Sequence, residues 1–212
     1  DHNPALNLSG SDWKRHIQDV DGVLMIRPSD YHDGSIEWLQ ARGLPWVVLE
    51  TYSKDLLDIN FVSLDFAVGA IQAATSLLSR GVRRIYTALM PGAPQMPLDD
   101  RFDSFFQTLH EHGFPDDEIE NWPRLSNEYG EILPERLDEI VIPALQMAPR
   151  PIGILSGSDM QCLGLIQAAR RLNLKLKKDI FIIGASGLPE SAIRQPALTV
   201  LEPPFEKLAN AG

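Results

Sequence analysis

The sequence has almost no cysteine and no long apolar run, and both absences exclude classes of protein. Cys162 is the single cysteine in 212 residues, so the chain cannot form an internal disulfide. No apolar run approaches the roughly 20 residues that cross a bilayer, and no charged segment followed by an apolar one opens the chain. The sequence therefore predicts a cytoplasmic protein without a membrane span.

Positive charge is also scarce. The 19 lysines and arginines are outnumbered by 29 aspartates and glutamates, which gives a formal net charge of -10 at pH 7. Such a chain is unsuited to binding nucleic-acid phosphates, so any DNA contact has to come from a domain outside this chain. With 44% hydrophobic and 23% charged residues, the rest of the composition is typical of one large or two small globular domains.

The motifs of common enzyme classes are missing as well. The chain has no Walker loop, no Gly-x-Gly-x-x-Gly fingerprint and no complete Gly-x-Ser-x-Gly nucleophile elbow. His110 and His112 lie at a predicted helix end on different faces, where solvated side chains explain them better than metal ligation. Cys162 lies on the apolar face of a predicted helix, which favours a buried small side chain over a nucleophile. We predict no catalytic residue, metal or cofactor, and a small α/β enzyme is the weakest of our hypotheses.

What the sequence does contain is an alternation of predicted strands and helices. Apolar runs such as Ile152–Leu155 and Ile180–Ile183 stop at turn residues, as buried parallel strands do. Right-handed crossovers then build twisted parallel sheets with helices on both faces, so the pattern predicts an α/β fold. The other predicted strands are Gly22–Ile26, Pro45–Leu49, Phe61–Leu64, Arg84–Leu89 and Asn121–Leu125, and the predicted helices include Ser35–Arg42, Asp65–Arg80, Asp100–His112 and Pro134–Met147.

Polar residues follow two neighbouring predicted strands within the segment Arg150–Glu202. Ser158 and Asp159 come after the first strand, and Ser186 comes after the second. Ligands of open α/β sheets bind beyond the carboxyl ends of the strands, so these three residues are predicted to hold a small molecule. Asp159 has an equally good alternative role, because an aspartate at this position can simply cap the following helix.

Five segments along the chain form a recognisable series. In chain order they are SLDFAVGAIQAATSLLSRGVRRIYTAL (63–89), DDRFDSFFQTLHEHGF (99–114), GSDMQCLG (157–164), KKDIFIIGASG (177–187) and QPALTVLEPPFEKLA (195–209). In this order they resemble the effector domain of the LacI/GalR family of bacterial transcription regulators. Two of them depart from the family pattern, with Val82 in place of the usual His and Ser104 in place of the usual Gly. The resemblance covers the chain from about Ser11 onward, and the order of the segments is its strongest support.

The resemblance implies a two-lobe, periplasmic-binding-protein-like fold with an effector in the cleft between lobes. Each lobe is then a parallel sheet flanked by helices, and breaks in the sequence suggest hinge strands at Met90–Pro94 and Glu202–Pro204. We expect residues 1–91 to belong to the N-terminal lobe, 92–202 to form the C-terminal lobe and 203–212 to begin the return to the first lobe. The family's opening strand, helix, strand block is absent before residue 1, so we expect a fragment with an incomplete first lobe.

The resemblance also assigns ligand roles to particular residues. Arg101 offers a planar fork to a hydroxyl pair or carboxylate, although a surface arginine paired with Asp99 or Asp100 is the alternative. Tyr129 corresponds to the aromatic residue that stacks on the effector in relatives, unless Trp122 takes that role or is simply a core residue.

Three further positions complete the predicted site. Ser158 stands where relatives often have Asn or Gly facing the cleft. Asp65 either contacts the ligand or caps the helix that starts there. Ser186 stands where many relatives have an aspartate that accepts hydrogen bonds from sugar hydroxyls, and a neutral hydroxyl cannot supply that charge-assisted acceptor. The usual sugar therefore binds differently here, or the effector is another molecule.

Together these features predict the effector-binding and dimerisation domain of a bacterial transcription regulator. The expected effector is a sugar or related metabolite, and the expected partners are a second copy of the chain and operator DNA. The DNA-binding head lies outside this chain, either before it as a helix-turn-helix or after it. The alternative from a different functional class is a solute-binding protein of a transport system with the same two-lobe fold.

Overall fold

The computed structural model describes residues 20–26, 35–49, 60–88, 101–127, 129–188 and 197–211. The chain divides into two compact units, one made of residues 1–64 and 204–212 and the other of residues 65–203. Each unit has its own parallel sheet with helices, which confirms the predicted α/β class. Among the described helices, none has the length and apolar character needed to cross a membrane.

The helices and strands follow the predicted order closely. In chain order they are β1 (Val23–Ile26), α1 (Ser35–Arg42), β2 (Trp46–Leu49), β3 (Phe61–Val62), α2 (Phe66–Leu78), β4 (Arg84–Ala88), α3 (Arg101–Glu111), a 3-10 turn (Asp116–Glu118), β5 (Ile119–Trp122), α4 (the consecutive segments Pro134–Arg136, Leu137–Val141 and Ile142–Met147), β6 (Ile152–Ser156), α5 (Asp159–Arg171), β7 (Ile180–Gly184), β8 (Thr199–Val200) and α6 (Phe205–Ala211). The main shift is in β5, which the sequence predicts at Asn121–Leu125.

The first unit contains the parallel strands β1, β2 and β3, in that order across the sheet. Val48 and Leu49 of β2 are buried, as expected of the central strand. Gly43 ends α1 with a φ of +65°, a left-handed conformation that glycine adopts without steric cost. Gly43 therefore ends α1 through its own backbone preference.

The second unit is built on a parallel sheet with strand order β5-β4-β6-β7-β8. All five residues of β6 are buried, which explains why this strand is a continuous apolar run in the sequence. Alternate residues along the strands face opposite sides of the sheet and form two cores. One core includes Ile152, Ile154, Ile180 and residues of α4 and α5, and the other includes Ile85, Leu155, Ile183 and residues of α2 and α3.

The helix α4 is interrupted by a π-helical turn at Leu137–Val141. Pro143 follows this turn, and its ring nitrogen has no hydrogen to donate to the preceding turn of helix. The wider turn occurs next to the position where a regular α-helical bond is impossible. The predicted helix Pro134–Met147 is therefore continuous but not uniformly α-helical.

The boundary between the units differs from the sequence-based expectation of a change at residue 91. Strand β4 pairs with β5 and β6, so it belongs to the sheet of the second unit. Helix α2, which precedes β4, packs against α3 and also lies in that unit. The chain thus changes unit before Asp65, because sheet membership is fixed by strand pairing and not by proline-rich breaks. Met90–Pro94, the predicted hinge strand, lies outside the described residues.

Two residues of α4 provide a direct test of where the core of the second unit lies. Leu145 is completely buried, whereas Met147 is 86% exposed. We expect Leu145→Ala to lower the free energy of unfolding by about 3 kcal/mol, because a buried cavity is created. Met147→Ala should change the free energy of unfolding by less than about 0.5 kcal/mol. Urea unfolding of both variants measures the difference, and equal effects would contradict the described packing.

Candidate ligand-binding site

The start of α5 lies at the carboxyl ends of β6 and β7. Ser158 is the N-cap of this helix, with extended backbone angles of -150° and 143°, and its Oγ accepts a hydrogen bond from the Met160 amide at 3.1 Å. A serine that accepts a bond from a first-turn amide is a favoured N-cap arrangement. The residue that caps α5 is therefore Ser158 and not the neighbouring Asp159.

Asp159 instead joins the start of α5 to the loop after β7. Its carboxylate accepts hydrogen bonds from the amide of Ser186 at 3.0 Å and from the amide of Leu188 at 2.9 Å. The Asp159 amide donates in turn to Ser186 Oγ at 3.4 Å. Because Asp159 is only 2% exposed, these amides compensate much of the cost of burying the carboxylate. Asp159 thus fixes the shape of the predicted site from beneath.

This arrangement requires a glycine at the end of β7. A Cβ atom built on Gly184 would overlap with Oδ1 of Asp159. Any side chain at this position would displace the carboxylate from the loop that it holds. The signal for this role was present in the sequence, where a glycine directly follows a buried strand.

A buried polar network that sequence reasoning missed supports the same region. Gln161 is completely buried, and its Nε2 donates to Ser126 Oγ at 2.8 Å. Its Oε1 lies 2.8 Å from Ser156 Oγ at the end of β6. This glutamine therefore ties α5 and β6 to the segment before Tyr129. The available signal was a glutamine on an otherwise apolar face of α5.

Tyr129 lies in a tight turn that covers Ser158. Asn127 Oδ1 accepts hydrogen bonds from the amides of Tyr129 and Glu131, at 3.0 and 3.1 Å. Gly130 has a φ of +83°, and a Cβ atom built on it would lie 2.7 Å from Ser158 Oγ. The turn therefore contacts the N-cap of α5, while the Tyr129 side chain is 73% exposed.

Trp122, the other candidate aromatic residue, belongs to the core. It is 2% exposed and stacks on Tyr86, with ring centroids 4.4 Å apart and an interplanar angle of 17°. The ring of Trp122 thus packs in the core, where it joins β5 to β4. Of the two aromatic candidates, Tyr129 is the one with an exposed ring.

Asp65 and Arg101 lie at the beginnings of α2 and α3. Asp65 caps α2, since its Oδ1 accepts a hydrogen bond from the Val68 amide at 3.3 Å. This contact supports the capping alternative without testing a ligand role. The backbone of Arg101 opens α3, but its side chain lies outside the described part of the structure.

Reactive and metal-binding groups are not assembled at this edge. Cys162 is fully buried, and burial raises the pKa of its thiol to about 12, so the thiol is neutral at pH 7. His110 Nε2 contacts Asp116 Oδ1 at 2.8 Å on the exposed surface, and His112 Nδ1 lies 2.8 Å from the Thr108 carbonyl oxygen. Among the described residues, no group of three His, Cys, Asp or Glu side chains is placed to hold a metal ion.

The contacts of Asp159 lead to a prediction about stability. We expect Asp159→Ala to lower the free energy of unfolding by about 3 kcal/mol, because two partly buried amides lose a charged acceptor. The amides of Ser186 and Leu188 should also lose protection in hydrogen exchange. Asp117→Asn, at an exposed position, is the matched control and should leave both quantities unchanged. Unchanged protection in Asp159→Ala would show that the loop is held by other contacts.

Comparison with known proteins agrees with this architecture. Residues 74–211 match the family model of the periplasmic binding protein-like domain. A LacI-family regulatory protein from Chloroflexus aggregans has a similar fold, with a TM-score of 0.74 and 24% identity, covering 94% of this chain and 68% of that one. A LacI-family regulator from Enterococcus faecium, solved with bound ribose, gives a TM-score of 0.73 and 22% identity, covering 94% of this chain and 70% of that one. At these identities the two structures show the fold alone.

A curated relative is similar in sequence over most of the chain. The HTH-type transcriptional repressor PurR of Erwinia tasmaniensis is 30% identical over 195 residues, which cover 89% of this chain and 53% of the relative. The chain thus spans about half the length of the curated relatives that it matches. It belongs to the periplasmic binding protein-like domain family.

Proposed function

We propose that this chain is the effector-binding domain of a bacterial transcription regulator. Its ligand is a small polyhydroxylated molecule, a sugar or a related metabolite, held at the carboxyl edge of the sheet in the second unit. The observation that carries the proposal is the meeting of Ser158, Ser186 and the turn of Tyr129 at the ends of β6 and β7. Polar groups that converge at this edge are typical of ligand sites in open α/β sheets.

The hydrogen-bonding state of the two serines favours a ligand rich in oxygen. Ser158 Oγ accepts from the Met160 amide, and Ser186 Oγ accepts from the Asp159 amide. These contacts use acceptor positions, and a hydroxyl also carries one hydrogen that it donates. The half-buried Ser186 is thereby set to donate to an oxygen atom of a ligand, whereas Ser158 is only 7% exposed beneath the turn at Gly130.

The exposed ring of Tyr129, which precedes Gly130 in the turn against Ser158, offers a flat apolar surface with a polar tip. Such a ring suits a sugar, which has an apolar face and a rim of hydroxyl groups. Arg101, at the start of α3, is the proposed donor of a bidentate hydrogen bond. The similar fold of the Enterococcus faecium regulator, solved with ribose, supports a sugar-like ligand for this chain.

Regulation follows from linkage between two binding events. An effector that binds one conformational state more tightly shifts the population toward that state, and a DNA-binding head coupled to it changes its affinity for the operator. We place the head outside this chain because the net charge of -10 opposes phosphate binding. We further propose a cytoplasmic homodimer, since twofold dimers are the commonest oligomers.

The relatives distinguish this proposal from the alternatives. The curated relative is named as a transcriptional repressor, and the two solved neighbours are named as LacI-family regulators. These names favour a regulator over a transport protein or an enzyme, and no feature of the described site favours either alternative.

A thermal-shift screen tests the proposed function. The purified protein is heated with neutral sugars, sugar acids, sugar phosphates and nucleobases, and a ligand that binds only the folded state raises the melting temperature. At a concentration of about 100 times its Kd, such a ligand adds about 2.7 kcal/mol of stability. We expect a saturable rise with at least one neutral sugar. A folded protein that responds to no compound in the panel would contradict the proposal.

Variants of the proposed contacts sharpen the test. We expect Tyr129→Ala and Arg101→Ala to weaken binding of the sugar found in the screen by about tenfold each, because stacking and a charged donor are lost. The melting temperature without sugar should not change for Tyr129→Ala, since its ring is exposed. Met147→Ala is the control, because Met147 is exposed at the end of α4 that leads to the start of β6, away from the carboxyl edge. Titration calorimetry measures the affinities, and an Arg101→Ala variant that unfolds but still binds in its folded fraction would make Arg101 structural.

A further inference from the structure

Glu202 lies beside the loop that follows β7. The amide of Leu201 donates to the Gly184 carbonyl oxygen at 2.8 Å, which continues the pairing of β8 with β7 beyond Val200. Glu202 is the next residue, so it reaches the carboxyl edge of the sheet. A Cβ atom built on Gly187 would lie 3.0 Å from Cγ of Glu202 and 3.2 Å from its Cα. The Glu202 side chain therefore passes over Gly187, the residue next to Ser186.

The approach of Glu202 depends on the backbone of Gly187. Gly187 has a φ of +66°, a left-handed conformation that side chains rarely adopt. Because Gly187 has no side chain, the Cγ atom of Glu202 can lie close to its backbone. The loop after β7 thus makes two contacts: its amides bind Asp159, and Gly187 leaves room for the side chain of Glu202.

Among the described residues around the loop after β7, the carboxylates of Asp159 and Glu202 differ in their contacts. Both oxygens of Asp159 accept backbone amides and are buried. Glu202 is exposed, and within the described ranges no residue forms a hydrogen bond or ion pair with its carboxylate. An ionised carboxylate has about four acceptor positions, and those of Glu202 face solvent. Of the two, Glu202 is the one that has acceptors to offer to a ligand.

We propose that Glu202 is the anionic acceptor of the ligand site and that it selects neutral hydroxyl-rich ligands over anionic ones. This inference rests on the proposed function and names a specificity-determining residue for the same site. A sugar hydroxyl both donates and accepts, so Glu202 accepts its hydrogen while a serine hydroxyl donates to its oxygen. Bonds to an ionised acceptor are roughly twice as strong as neutral ones.

The charge of Glu202 also explains how the site functions with a neutral residue at position 186. Ser186 gives the loop a donor, and the acceptor is supplied by the strand next to it. An acidic ligand placed between them would bring a second negative charge close to Glu202, which disfavours binding. The site therefore distinguishes sugars from sugar acids by charge as well as by shape.

The experiment compares three proteins: the wild type, Glu202→Gln, and Glu139→Gln, a control at an exposed position on α4. Calorimetric titrations use the neutral and anionic pairs D-glucose with D-glucuronate, D-galactose with D-galacturonate, and D-ribose with D-ribose 5-phosphate. We expect Glu202→Gln to bind the preferred neutral sugar about tenfold or more weakly and to lose discrimination against its anionic partner. Glu139→Gln should match the wild type, and all three melting temperatures without sugar should agree.

The possible results separate this inference from the proposed function. A wild type that binds a neutral sugar, with Glu202→Gln binding it equally well, overturns the role of Glu202 and leaves the proposed function standing. A lower melting temperature for Glu202→Gln without sugar makes the residue structural and also overturns the inference. A folded wild type that binds no member of any pair and no compound of the wider thermal-shift panel overturns both.

Discussion

The buried carboxylate of Asp159 is the interaction on which the site depends. A carboxylate that is 2% exposed is costly unless donors surround it, and two amides of the loop after β7 provide donors. Those amides converge on one side chain only because the loop folds back over the start of α5. The start of the loop, as far as Leu188, is therefore held with Ser186 at the edge of the sheet, and Gly184 has to be a glycine for the carboxylate to fit.

Around this interaction, the polar residues divide into those that build the site and those that remain open to a ligand. Ser126, Ser156 and Gln161 are completely buried and bond to one another, so they hold α5, β6 and the segment before Tyr129 in place. Asp159 belongs to the same group. Within the described residues, the side chains of Tyr129 and Glu202 are exposed and make few hydrogen bonds. Their positions follow from the buried residues that hold the neighbouring backbone. Placing ligand contacts on a preorganised support reduces the entropy lost on binding.

Much of the fold was predictable because its signals are local. Runs such as Ile152–Leu155 are apolar since both faces of a central parallel strand are covered, and glycines such as Gly43 end helices because of their own backbone preference. Membership of a sheet is not local in this sense. The residues of β4 do not indicate which sheet this strand joins, and those of α2 do not indicate which unit the helix packs in. The change of unit at Asp65 is therefore visible only from the strand pairing in the structure. The sequence-based prediction instead placed the boundary at residue 91, where a break follows the predicted strand.

The proximity of three candidate residues was predictable, whereas the contacts that each of them makes were less so. The rule that ligands bind beyond the carboxyl ends of strands located Ser158, Asp159 and Ser186, which the structure brings together. The division of labour between Ser158 and Asp159 depends on which side chain turns toward the helix amides, and both residue types are good caps. Glu202 was harder to foresee, because its importance comes from contact with Gly187 across two strands and not from its neighbours in sequence.

The proposed specificity depends on which element at this edge carries the exposed carboxylate. A carboxylate on the loop after β7 would lie directly above the buried Asp159, and the repulsion between them would weaken the contact that shapes the loop. With a neutral Ser186 on the loop, that repulsion is avoided, and Ser186 Oγ can accept the Asp159 amide. The acceptor then stands on a neighbouring element, and the end of β8, which pairs with β7, reaches the same edge. Asp159 thereby stabilises the loop, and Glu202 offers charge to a ligand. The ligand acceptor can therefore change without loss of the contact that shapes the loop.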